Sequence, residues 1–403
     1  MLDVSTPPAL IVIQASSRSW SGGPDLCMNP VEGRPAVAWT ADKARSVWPG
    51  VRVVIAAPAF DAGGPLDTLQ GPDMSVHYSH DASPLDRLLA VTADLPPEAL
   101  LLRLDGLHLG WRPALARKLL EHAAAEHLDL AKAPDDYPIQ LTADVYRVGA
   151  LRRLQPLLGV NDTVWRVHPK YAMLQRPELF RAARVEPTES LPLPELRALR
   201  EHCRAVYRQG RLEVNASAIA AGDQLSFHYE LALTRLDAGL RVLDAACGPG
   251  YGAAMLATAV GNEGLVKAID LDTPTVELAC RTHWADNLEF GVGDVTSLPF
   301  GAEQFDVVTS FETLEHVPPE PYFRELRRVL RPKGLLLLST PQNRLGLVPV
   351  NPQHLREYSV EELLALAEPC FTPLELLGIK QGRIIFPDDP RGQNTFAVFR
   401  KRA

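Results

Sequence analysis

The chain is poor in cysteine, with five in 403 residues, and no two of them stand in a CxxC spacing. An odd and scattered set (Cys27, Cys203, Cys247, Cys280, Cys370) excludes a disulfide framework and a cysteine-built zinc site, and points to a reducing compartment. Long apolar runs are also missing. Continuous ones such as Ala9–Ile13 reach about five residues, against the ~20 needed to span a bilayer. The first residues lack the basic region and following apolar stretch of a signal peptide, so the expectation is a cytoplasmic protein with no membrane span. No internal repeat or low-complexity tract stands out, which argues against solenoids and linker-like chains.

What is present is ordinary for a folded chain: 46% hydrophobic and 22% charged residues. The length suits two domains of ~100–200 residues. Charge divides unevenly. Residues 1–212 hold 24 basic and 24 acidic side chains, leaving 41 − 24 = 17 basic and 49 − 24 = 25 acidic for the rest. All of the net charge of −8 therefore lies in the second half, which disfavours nucleic acid as a partner. The 35 prolines cluster at element boundaries.

In the N-terminal half, Ala9–Ile13, Val51–Ala56 and Leu100–Leu104 read as strands. Between and after them come helices. Ser83-Pro-Leu-Asp86 opens one with an N-cap serine, a first-turn proline and an acid at the positive end of the dipole. Arg112–His127 carries Leu115, Leu119 and Leu120 on one face. Alternating strands and helices predict an α/β layer on a parallel sheet. A further helix over Pro194–Arg208, with Leu196, Leu199, Cys203 and Val206 on one face, closes this half, and Gln209-Gly210-Arg211 marks the break.

The order of Ile13-Gln14-Ala15-Ser16-Ser17-Arg18, Pro84-Leu85-Asp86-Arg87 and Pro177–Val185 resembles the cytidylyltransferases of the spore-coat-polysaccharide and KDO-activating type, over roughly residues 9–210. The resemblance implies a nucleotidyltransferase-like fold. Its catalytic features are altered. The loop Trp20–Asp25 holds neither the arginine nor the lysine that grips phosphates in that family, and leucine (Leu107) stands where a metal-binding aspartate is expected. Without metal carboxylates, phosphoryl transfer loses its main charge neutralisation. This half is read as a non-catalytic relative that retains a sugar or nucleotide site. Asp105 and His108 are candidates for a rearranged metal site, or simply solvated loop residues.

The second half is organised around Arg241-Val-Leu-Asp-Ala-Ala-Cys-Gly-Pro-Gly-Tyr-Gly252, a strand running through an acid into a glycine-rich turn and a small-residue helix. Such a turn lets a ligand approach bare backbone, and the helix start offers free N–H groups. Phe227-His228-Tyr229 begins a helix just before it. A second strand ends in Asp270-Leu271-Asp272, with Asp270 placed 26 residues after Asp244 (270 − 244), where an acid can hold ribose hydroxyls. Leu288–Phe300 supplies a third strand ending at Asp294. Phe305–Ser310 is a fourth, leading into Phe311-Glu-Thr-Leu-Glu-His316-Val, and Leu335–Thr340 is a fifth. The helix Pro321–Leu330 stops at Arg331-Pro-Lys-Gly334.

These motifs are similar, in order and spacing, to class I S-adenosylmethionine-dependent methyltransferases of the small-molecule type, over about residues 225–380. The resemblance implies a Rossmann-like seven-stranded fold with S-adenosylmethionine as cofactor. It puts Asp244, Ala246 and the Cys247, Gly248 and Gly250 backbone around the methionyl part, Asp270 on the ribose and Leu271 against the adenine. Asp294 and Val295 fall beside the adenine amino group, with Phe311 also in the pocket. A dehydrogenase is the rival on this fold. It is disfavoured because the third glycine of Gly248-Pro-Gly250-Tyr-Gly252 comes one place early and Asp244 would face a dianion. A hydroxyl acceptor gains from a general base. His316 is the best-placed candidate, with Glu315 and Glu312 to orient it or act instead; a packing histidine is the alternative. His354-Leu-Arg356-Glu-Tyr358 resembles a loop of glycan-associated methyltransferases, so His354, Arg356 and Tyr358, with Tyr229, are candidate acceptor contacts. Ser359 and Glu362 form a capping box.

The expectation is thus an α/β protein of two domains, residues 1–212 nucleotidyltransferase-like and residues 213–403 a methyltransferase. It takes a small-molecule or glycan acceptor in polysaccharide biosynthesis, with no nucleic-acid partner and no resident metal. A bifunctional cytidylyltransferase/methyltransferase and a non-catalytic sugar-nucleotide-binding scaffold remain as alternatives. Composition says nothing of oligomeric state.

Overall fold

The computed structural model describes residues 7–18, 25–80, 83–188, 191–206, 224–346, 351, 353–381 and 383–402, with the side chains of 224 and 225 left aside. Trp20–Pro24 of the expected phosphate loop and the expected break at residues 209–211 lie outside them. The chain forms two compact units, Met1–Gln209 with Val350–Pro352, and Gly210–Pro349 with Gln353–Ala403. Among the described residues no helix is long and apolar enough to cross a membrane.

The first unit is built on a seven-stranded sheet in the order Met74–Tyr78, Val53–Ala57, Leu10–Gln14, Leu100–Asp105, Asp144–Arg147, Leu130–Lys132, Ala182–Arg184. The first four are mutually parallel, and Leu10–Gln14 and Val53–Ala57 are buried along their whole length. Continuous apolar runs suit strands covered on both faces. The wholly parallel sheet expected from the sequence is corrected here. Asp144–Arg147 runs antiparallel to both of its neighbours. That strand begins on a charge: Asp144 is buried against Arg103 and Lys170, at 3.4 and 3.2 Å. A strand opening on a buried ion pair carries no apolar alternation to reveal it. Ser83 caps the helix Pro84–Val91 through the Asp86 N–H, as its sequence predicts.

The second unit has the sheet order Leu288–Val292, Leu265–Asp270, Arg241–Ala245, Phe305–Phe311, Leu330–Pro341, Asn394–Lys401, Phe371–Ile379. Five strands are parallel, and the last two, at one edge, pair antiparallel. The order steps outward in opposite directions from Arg241–Ala245, so the carboxyl ends of that strand and its two neighbours border one crevice. The stretch expected to end a helix, Arg331–Gly334, instead starts the long strand Leu330–Pro341; the helix before it is Pro319–Val329. Leu330 pairs with Phe305 before a bulge, which lets the chain turn into the sheet without a loop.

Candidate functional site

Ala246 follows the central strand with φ +70°, and Glu312 follows the neighbouring strand Phe305–Phe311 with φ +51°. A non-glycine residue in the left-handed region costs energy and persists only where surrounding contacts hold it, often at functional sites. Glu312 is held by its side chain, which accepts hydrogen bonds from Ser339 Oγ (3.0 Å) and Asn394 Nδ2 (2.7 Å). The crevice is thus bordered by two strained turns at adjacent strand tips.

The glycine turn is closed by backbone bonds. Cys247 N–H donates to Ile269 O (2.8 Å) and Gly250 N–H to Cys247 O (3.2 Å). Gly248 and Gly250 have φ +53° and +86°, and a Cβ on Gly250 would come within 2.8 Å of Ala279 and Phe290. The turn must therefore remain bare backbone, which suits close approach of a ligand to the N-terminus of the helix Tyr251–Val260. Asp270, buried at the tip of the next strand, accepts from Gly248 N–H through one oxygen and from Asp272 N–H through the other, each at 3.0 Å. It locks the glycine turn to the second strand end, and each carboxylate oxygen can accept more than one hydrogen bond. Beside it Leu271 is 69% exposed, an apolar side chain available to cover a ring. Asp294, exposed at the third strand end, folds its own turn by accepting from Thr296 N–H and Oγ (2.8 and 2.7 Å), with Val295 buried next to it.

Asp244 and Tyr229 differ from expectation. Asp244 is fully buried, and its carboxylate faces the protein: Thr309 Oγ donates to Oδ1 (2.8 Å) and the Tyr229 hydroxyl to Oδ2 (3.1 Å). Burial pushes this carboxyl up to about 7, partly offset by the two hydroxyl donors and reinforced by the charge of Asp270. Tyr229 is buried, its ring 4.8 Å from that of Phe311. Phe311 itself is buried between Tyr229, His228 and Phe396. Thr309 was invisible as a site residue because an inward hydroxyl in a strand leaves no sequence signal.

At the loop after Phe311, Glu315 is 1% exposed and accepts from Thr340 Oγ (2.9 Å). Burial and then the neighbouring Glu312 charge hold its carboxyl well above the usual range. His316 is partly exposed, its Nδ1 3.1 Å from Gln353 O and its Nε2 3.9 Å from Glu315 Oε1. His354 packs edge-on against it, ring centroids 4.9 Å apart, and its Nδ1 meets Glu357 Oε1 at 2.6 Å. The structure therefore brings His354, far along the sequence, against the adjacent pair Glu315 and His316. Arg356 pairs with Glu362, and Tyr358 is buried in the core beneath it. A cavity of about 480 Å³, lined by Val317, Pro318, Leu355, Arg356, Tyr358 and Leu366, adjoins this loop. The capping box of Ser359 and Glu362 is present in both directions.

In the first unit, Asp105 accepts from Arg103 and from Leu107 N–H, while His108 is buried with its Nδ1 unpartnered and its pKa lowered by burial to about 4. The two are not part of any metal-ligating cluster among the described residues. Asp86 of the cytidylyltransferase-like segment is engaged by Arg166 and Gln155, and Arg87 by His80 O, which gives these residues packing partners.

Residues 243–338 match the family described as "Methyltransferase domain". A probable S-adenosylmethionine-dependent methyltransferase of Mycolicibacterium smegmatis is 36% identical over 152 residues, covering 36% of this chain and 57% of its own. The 27-O-demethylrifamycin SV methyltransferase of Amycolatopsis mediterranei is 40% identical over 108 residues, covering 26% of this chain and 39% of its own. Among solved structures, a SAM-dependent methyltransferase from Aquifex aeolicus aligns at 22% identity and a TM-score of 0.36, over 45% of this chain and 95% of its own. The chain spans about half the length of the curated relatives it matches. The C-terminal half of this chain carries a class I S-adenosylmethionine-dependent methyltransferase domain, and S-adenosylmethionine is that domain's cofactor.

Proposed function

We propose that the protein transfers a methyl group from S-adenosylmethionine to a hydroxyl of a sugar or glycan precursor. The donor part of the reading is carried by one observation: bare glycine backbone at Gly248 and Gly250 is tied by Asp270 to an adjacent strand end that presents exposed Leu271. Asp270 takes the ribose hydroxyls, Leu271 covers the adenine face, and Asp294 with Val295 borders the adenine edge. The Ala246–Gly250 backbone lies along the methionyl chain, and Asp244 acts on it indirectly, by holding Tyr229 and Thr309 under the turn. The cofactor supplies a methyl group on a sulfonium, so the protein's part is orientation and handling of the acceptor proton. His316 and Glu315 stand beside the acceptor oxygen, and the cavity next to them, with Arg356 and Tyr358 in its wall, receives the acceptor.

Residues 1–212 serve as a nucleotidyltransferase-like domain without catalysis of its own, which holds a sugar or nucleotide part of the acceptor. A polyketide-type hydroxyl is the competing acceptor, favoured by the relative whose name records 27-O-methylation. Calorimetry with S-adenosylmethionine, followed by labelled-methyl transfer to a panel of sugar nucleotides and to macrocyclic alcohols, tests the reading. Absence of heat with S-adenosylmethionine sinks it; label on macrocyclic alcohols alone replaces the glycan acceptor. Mg²⁺-dependent heat with CTP would instead revive a bifunctional enzyme.

A further inference from the structure

Glu315, His316 and His354 each offer one ligand atom, and these atoms all lie within 4.8 Å of one another. Two ligands at ~2.1 Å from a common ion stand roughly 3–4 Å apart, so side-chain rotations of about 1 Å close the group around an ion. The side chain of His316 is 41% exposed.

The second observation is how the rings are held. The His316 Nδ1 faces the Gln353 carbonyl, and the His354 Nδ1 faces the Glu357 carboxylate. A carbonyl or carboxylate oxygen only accepts, so in each neutral ring Nδ1 carries the proton and Nε2 the lone pair. Metal-bound histidines are oriented in this way, by a carbonyl or carboxylate on the nitrogen away from the ion. The outer groups are themselves fixed: Glu357 is buried and accepts from Asn343 Nδ2 (2.9 Å), and Glu315 from Thr340 Oγ. A buried carboxyl within 4.8 Å of two imidazoles, each ring braced from behind, is costly to assemble for packing alone.

We propose that Glu315, His316 and His354 bind a divalent first-row transition metal ion at the acceptor end of the methyltransferase domain. Two imidazoles and a carboxylate suit Fe²⁺, Co²⁺ or Zn²⁺ better than Mg²⁺ or Ca²⁺, which favour all-oxygen sites. The inference deepens the function proposed above and rests on it for the site's use: a metal-bound acceptor hydroxyl is a stronger acid. Its proton goes to solvent, the C–O bond forms as the C–S bond breaks, and the sulfonium leaves as a neutral thioether. Gln353 and Glu357 are then positioning residues.

The test uses the full-length, tag-free protein dialysed against EDTA and titrated with Co²⁺ by calorimetry and visible absorption. One Co²⁺ per chain is expected, with ligand-field bands. His354→Ala and Glu315→Gln should each weaken binding at least ~10-fold, and Glu357→Gln, which keeps all three ligands, by roughly 10-fold. Affinity for S-adenosylmethionine, measured on every variant, reports that the domain is folded. No saturable Co²⁺ binding by the wild-type protein overturns the inference, as does binding that all three variants retain in full. If S-adenosylmethionine binds but Co²⁺ does not, the metal site fails and the methyltransferase reading stands. If Co²⁺ binds but S-adenosylmethionine does not, the outcome is reversed.

Discussion

The ring of Tyr229 occupies the space that a side chain at Gly252 would need. A Cβ there would sit 1.9 Å from Tyr229 Cζ, and the hydroxyl beyond it donates to Asp244 at 3.1 Å. The glycine turn and the helix that precedes the central strand are therefore fitted to each other through one aromatic ring. Gly252→Ala is expected to displace Tyr229, to lower stability by ~1–3 kcal/mol, and to weaken S-adenosylmethionine binding. Chemical denaturation and calorimetry on the same variant check both effects; unchanged stability would show that the ring has somewhere else to go.

Asp244 sets a pH dependence of stability. Its carboxyl titrates near 7 in the folded state, far above the ~4 of an exposed aspartate. Between those values the unfolded chain has released this proton and the folded chain has kept it, so stability falls as pH rises from about 4 to about 7 and then levels. At about 1.4 kcal/mol per pKa unit the whole effect is on the order of 4 kcal/mol at most. Asp244→Asn removes the titrating group, and its denaturation midpoint should vary less over that range than that of the wild type.

Asp270→Ala removes the acceptor for the Gly248 and Asp272 N–H groups. Losing hydrogen bonds to a charged group costs roughly 1.5–3 kcal/mol, so affinity for S-adenosylmethionine should fall ~10–100-fold, read by calorimetry. An affinity within two-fold of wild type would remove Asp270 from the cofactor site.

His316→Ala should leave cofactor affinity nearly intact and lower turnover by ~100-fold or more, the scale of a group that acts on the transferred proton's oxygen. Unchanged turnover once an acceptor is known would make His316 a packing residue, as its contact with His354 alone could suggest.

Much of the cofactor corner was legible in the sequence because it depends on backbone geometry. Glycines at 248 and 250, and acids at strand ends, are demanded by turn conformation and by free N–H groups, and those demands act over a few residues. The helix starts at Ser83 and Ser359 were legible for the same reason. Less was visible where a side chain's role depends on what comes back to it from far along the chain. Nothing in the sequence shows that Thr309 and Tyr229 enclose Asp244. The antiparallel strand Asp144–Arg147 was hidden because its first residue is satisfied by Lys170 and Arg103, not by an apolar neighbour.

By itself, the sequence determined the local geometry of the donor half: the bare turn and the acids at strand ends follow from local backbone rules, and their order resembles that of S-adenosylmethionine-dependent methyltransferases. Only the tertiary structure decided what meets at the loop after Phe311. It takes two strand tips and the loop at residues 353–357 to bring His354 against His316 and Glu315, and the orientation of those rings is set by Gln353 and Glu357, whose positions no local pattern encodes.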